Sequence, residues 1–158
     1  MQNLFELLHH CGYRGKVDPE AVKSFEMAQN VAAGEQHELD ACHLLMAQVF
    51  KGSSVLPLEV YSAFRHDRLL KALTMLPARL CVGTSGEEQA PSVSLDLVIT
   101  FGAALARQQM IAPIDSFGDL MLYHVVLSSH SPALFDLLYV MELDLDWLRK
   151  QAGLIAES

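Results

Sequence analysis

DACHLLMAQV, residues 40 to 49, and SFGDLMLYHVV, residues 116 to 126, share one order. A small polar residue (Asp40, Ser116) is followed three residues later by a polar one (His43, Asp119) and then by an apolar run. A small polar residue just ahead of an apolar-periodic run marks a helix start, because its side chain can satisfy free N–H groups of the first turn. Superposing the two stretches needs an offset of 76 residues, from position 40 to position 116. The same offset pairs Val22 with Val98, Phe25 with Phe101, Ala28 with Ala104, Leu44 with Leu120, Val49 with Val125 and Leu58 with Leu134. Breaks recur in the same order, with a slip of three residues near the last helix, where RLLKAL faces WLRKQA. A helical unit that cannot bury its own apolar face is stabilised by packing on another. The expected fold is therefore all-α, two pseudo-symmetric repeats of about four helices each plus an extra N-terminal helix.

Working outward, NLFELLHHC places Leu4, Leu8 and Cys11 at helical spacing, and the two glycines of GYRG end that helix. Asp18 as N-cap and Pro19 at the first helical position start the next, with Val22, Phe25, Ala28 and Ala32 on one face and Gly34 at its close. Asp40 caps the third, and KGSS interrupts it. VLPLEVYSAF and HDRLLKALTML supply two shorter helices that stop at Pro77. Residues 78–92, ARLCVGTSGEEQAPS, read as a linker from their glycines, serines and proline. In VSLDLVITF the alternation of Val93, Leu95, Leu97 and Ile99 is compatible with a strand, but the match to the helix after Asp18 favours helix. These boundaries divide a single domain, 1–158, into a leading helix (1–16), a first repeat (17–77), the linker (78–92) and a second repeat (93–152).

Composition narrows the function classes. With 51% hydrophobic and 19% charged residues in 158, the chain has the apolar content of a folded core. A net charge of −8 and the lack of any basic, aromatic-interleaved stretch disfavour nucleic acid as a partner. The first ten residues lack a basic n-region, and no run reaches the roughly 18 apolar residues of a membrane span. A cytoplasmic protein with no membrane partner is expected. Three widely spaced cysteines, Cys11, Cys42 and Cys81, read as reduced thiols in agreement with that location.

The chemical motifs fail on spacing. GYRGKV has two residues between its glycines where a phosphate loop needs four, and Val17 stands where a magnesium-binding hydroxyl belongs. GTSGEE lacks a residue between Ser85 and Gly86 for a nucleophile elbow. His9 and His10 are adjacent, so on a helix they diverge by about 100° instead of converging on a metal. His43 and His124 read as core or boundary histidines donating to carbonyls. Asp18, Asp40 and Asp144 read as helix caps, and Asp119, placed one turn into its helix, as a partner of the helix dipole. No catalytic residue, cofactor or metal is expected.

FEMAQNVA, the two capped stretches, ALTMLP ahead of a glycine-containing linker, and the closing ELDLDWLRK together resemble the double Clp N-terminal domain of Clp-type AAA+ unfoldases, from about residue 17 to the end. Asp119 stands where that pattern has histidine, and Glu142 where it has glycine. The resemblance implies a non-enzymatic domain that binds a polypeptide segment and delivers it to an AAA+ ring in cis or in trans. The leading NLFELLHH is similar to the extra helix of the ClpV branch, which recycles type VI secretion sheaths. That implies a helix-in-groove site for an amphipathic sheath helix, lined by Leu4, Phe5 and Leu8 with Phe25 nearby. Those side chains can equally pack the leading helix onto the core. The ClpB-like pattern, whose clients are unfolded or misfolded chains, implies Phe101, Ala103 and Asp119 at a substrate surface, though the first two can equally be core. The alternative is a free-standing adaptor or inhibitor of a Clp assembly, since the sequence runs from Met1 to Ser158 without an AAA+ segment.

Overall fold

The computed structural model describes residues 3–35, 37–52 and 93–151. Over these the chain forms seven helices: α1 (Leu4–His10), α2 (Pro19–Gly34), α3 (Ala41–Lys51), α4 (Leu95–Ile111), α5 (Asp119–Leu127), α6 (Pro132–Val140) and α7 (Leu145–Gln151). Two strands of two residues, β1 (Lys16–Val17) and β2 (Ser116–Phe117), pair in parallel. The fold is all-α as expected, and LDLVITF is helix, with Val93 ahead of it making one isolated bridge to Leu39. The two helices expected before Pro77, the linker at 78–92 and Cys81 lie outside the described residues.

The repeats interlock through related backbone bonds. Asp18, the N-cap of α2, donates its N–H to Phe117 O at 2.9 Å, and Ser94, the N-cap of α4, donates to Leu39 O at 2.9 Å. The caps of α2 and α4 are equivalent, as are the residues just before α3 and α5, so a pseudo-twofold exchanges one bond for the other. The register differs from the one that maximises identities. α2 and α4 keep the offset of 76, from Asp18 to Ser94. The cap of α5, however, is Gly118 and not Ser116, so α3 and α5 are offset by 78, from position 40 to position 118. α4 is one residue longer than α2, and the connection after it is longer by one more. Leu44 therefore corresponds to Leu122, both fully buried, and not to the half-exposed Leu120. Ser116 lies in β2, and its hydroxyl donates to Asp18 Oδ1 at 2.6 Å. The Asp18 carboxylate is thus spent across the interface and makes no cap bond of its own.

Helix ends follow local chemistry with two changes. Gly34 ends α2 without a left-handed turn, its C-cap being Glu35 at φ −99°, whereas Gly52 closes α3 at φ 75°. Glu142, just past α6, adopts φ 59°, a left-handed conformation that glycine takes at no steric cost. Asp144 caps α7 by accepting from Asp146 N at 3.1 Å.

The core fills the space between repeats. Phe101 stacks on Phe117 with ring centroids 5.9 Å apart, and Tyr13 packs against the same ring at 6.2 Å. Leu4, Leu7 and Leu8 of α1 are fully buried with them, as is Phe25. That corrects part of the sequence expectation: Leu4, Leu8, Phe25 and Phe101 are core side chains and line no open groove. The apolar stripe of α1 is consumed in joining that helix to the rest, because Leu7 falls on the same face and the whole face is covered.

Candidate recognition surface

Asp119 is the first residue of α5, not one turn inside it, and is buried. Lys51 Nζ lies 2.6 Å from its Oδ2, Ser24 Oγ donates to Oδ1 at 2.8 Å, and Gln48 Nε2 donates to its carbonyl at 2.9 Å. Lys51 also reaches Glu20 Oε2 at 3.2 Å and the Glu20 carbonyl at 3.0 Å. Both ions of the Lys51–Asp119 pair are largely withdrawn from water, so removing one partner leaves an uncompensated buried charge. The geometry makes Asp119 a brace between the repeats.

A second buried network centres on Asp40, whose carboxylate accepts from Ser94 Oγ at 2.6 Å and from Ser131 Oγ. Asp40, Ser94 and Ser131 are the N-caps of α3, α4 and α6, so three helix starts, each with a positive dipole end, meet on one carboxylate. His43 at the third position of α3 reaches back, its Nδ1 accepting from Asp40 N at 3.0 Å. That bond leaves the proton on Nε2, which donates to His37 Nδ1 at 3.2 Å. Burial, with His37 adding repulsion, pushes His43 down to about 4, and burial lowers His37 as well. His43 is therefore a neutral relay that donates to histidine and not to a carbonyl. Among the described residues no group of three or more His, Cys, Asp or Glu is placed to hold a metal ion. Cys42 is buried, and burial raises its thiol well above the ordinary range.

An open apolar surface lies on α4. Leu95, Ile99, Ala103, Ala106 and Met110, spaced four, four, three and four residues apart, lie on one exposed face, with Leu95 at 74% and Met110 at 88%. α4 is apolar on its inner face too, through Leu97, Phe101, Ala104 and Leu105, so its outer stripe is surplus to core formation. Beside the stripe runs a groove of about 550 Å³, between α4, the α5–α6 connection and α7, lined by Ile99, Thr100, Ala103, Arg107, His130 and Arg149 among others. Arg107 Nη2 donates to Ser128 Oγ at 3.0 Å, and Arg149 Nε donates to Leu127 O at 2.7 Å. Ala103 is the one sequence-expected site residue that lines this groove; Phe5 is exposed on α1. Leu95, Ile99, Met110 and Arg107 were not singled out by sequence. Their signal is present, because the exposed positions of α4 recur at helical period.

No protein-family model matches the sequence, and no curated protein matches it. Among solved structures, the N-terminal domain of the caseinolytic protease associated chaperone ClpD from Arabidopsis thaliana is similar in fold. The TM-score is 0.64, over 87% of this chain and 92% of that chain, at 14% identity. The architecture is thus that of a Clp N-terminal domain. Among the described residues no helix is long and apolar enough to cross a membrane.

Proposed function

We propose that this chain is a non-enzymatic recognition domain of the Clp N-terminal type, which binds a polypeptide segment on α4 for delivery to an AAA+ ring. The observation that carries the reading is the exposed apolar stripe from Leu95 to Met110, which the packed core does not need. A helix or extended segment laying its apolar side chains along such a stripe buries surface on both partners, at roughly 25 cal/mol per Å². The first-choice partner is an amphipathic helix, such as one from a type VI secretion sheath subunit, and the second an unfolded client. The sheath assignment rests on the resemblance of the leading helix to the ClpV arrangement. That helix acts as structural support in this reading, since Leu4 and Leu8 are buried. A free-standing adaptor or inhibitor of a Clp assembly would use the same surface.

The test is fluorescence anisotropy with a labelled amphipathic sheath-derived helix and, separately, a permanently unfolded client. Saturable binding is expected, and Ile99→Asp should weaken it at least about tenfold by placing a charge in the apolar contact, with unchanged circular dichroism. Lack of saturable binding to either probe would sink the proposal, and binding to the client alone would remove the sheath assignment.

A further inference from the structure

We propose that the groove beside α4 selects segments carrying carboxylates on one flank: the partner is an amphipathic helix whose apolar residues follow the α4 stripe and whose Asp or Glu side chains meet Arg107 and Arg149. This deepens the recognition reading above and rests on it.

The local charge opposes that of the molecule. The chain carries −8 overall, and residues 93–151 hold Arg107, Arg149 and Lys150 against Asp96, Asp115, Asp119, Asp136, Glu142, Asp144 and Asp146. Two of those three cations nevertheless line one groove. Neither Asp96 nor Asp146 forms a close ion pair with them. Asp96 accepts from Ser129 Oγ at 2.6 Å, and Asp146, on a largely exposed side chain, stays 3.9 Å from Arg149 Nη1, a separation at which water competes. Each guanidinium is also held in place by the end of α5. Arg107 spends an Nη2 hydrogen on Ser128 Oγ and Arg149 its Nε hydrogen on Leu127 O. A guanidinium has five donors, so each retains several for an incoming carboxylate while already fixed in orientation. Ile99 and Ala103 form an apolar wall beside the same groove. A carboxylate brought there by apolar anchors meets its cation in a less aqueous setting, where charge-assisted bonds are stronger. A basic segment would instead meet two fixed guanidinium groups. Stripe and cations together specify the order of the partner's faces: apolar in the centre, acidic toward α7.

Three synthetic helices with the same leucine stripe test this, with Glu, Gln or Lys at the flanking positions, titrated against the full chain. Wild type should bind the Glu peptide about tenfold more tightly than the Gln peptide, and the Lys peptide most weakly. Arg107→Gln, at an exposed position, should shrink the Glu preference to below about threefold, and Arg107→Glu should move the preference toward Lys. Equal affinities for the Glu and Gln peptides, or a preference that survives Arg107→Gln with the fold intact, overturn the charge selection and leave the α4 surface standing. Failure of all three peptides to bind overturns the α4 reading and this inference with it.

Discussion

His43, which reads in sequence as a core or boundary histidine, is given one specific hydrogen-bonding role by its burial. Its ring accepts from Asp40 N and donates to His37, a pattern available only to the neutral form. Folding lowers its pKa from 6.5 to about 4. Between those values the unfolded chain binds a proton that the folded chain refuses, so the stability is fully present above pH 6.5 and is lost as pH falls toward 4. The slope from His43 alone approaches about 1.4 kcal/mol per pH unit in that window, with His37 adding in the same direction. Urea unfolding at pH 7 and pH 5 should show this loss, and His43→Gln should flatten it. Other groups face the pair, namely Glu35 beside His37 and Asp40 and Cys42 beside His43, but they remain in the variant. An unchanged pH slope in His43→Gln would count against the relay.

At the scale of elements, ends and faces have separate causes. α6 ends at Val140, and Glu142 takes a left-handed φ of 59° beyond it. The resemblance had marked this as a position where the related pattern has glycine, and the backbone supplies the reason. Glu142→Gly should raise stability by about 0.5–1 kcal/mol, relief of strain being partly offset by the looser unfolded chain. Thermal denaturation would read this as a small rise in Tm, and a fall would mean that the glutamate side chain contributes more than the strain costs. α1 is held by Leu4, Leu7 and Leu8. Leu8→Ala should cost about 2–5 kcal/mol in chemical denaturation, the range for a leucine lost from a packed core. A neutral result would mean that α1 detaches readily and that its apolar face is available to a partner after all.

At the scale of the molecule, caps and periodicity carry most of the information about the fold. Asp18 with Pro19, Asp40 with His43, and the recurrence of α2 in α4 are local signals that survive in three dimensions. The repeat register was less legible. Matching identities aligned Leu44 with Leu120, whereas the interface aligns it with Leu122, and a two-residue shift turns a helix face by about 200°. The candidate site was legible only at Ala103. An amphipathic stripe in sequence says that a face is apolar but not whether another element covers it. On α1 the stripe is buried, and on α4, a helix apolar on both sides, the inner face satisfies the core and the outer one is left over. Asp119, which in sequence reads as a partner of the helix dipole or a substrate-surface residue, is engaged by Lys51 and Ser24, which lie 68 and 95 residues away. The sequence by itself determined helix class, duplication and most helix starts, because these depend on neighbours within a turn or two. Only the tertiary structure decided which apolar face stays open and which charges are already paired, because both depend on contacts between residues far apart in the chain.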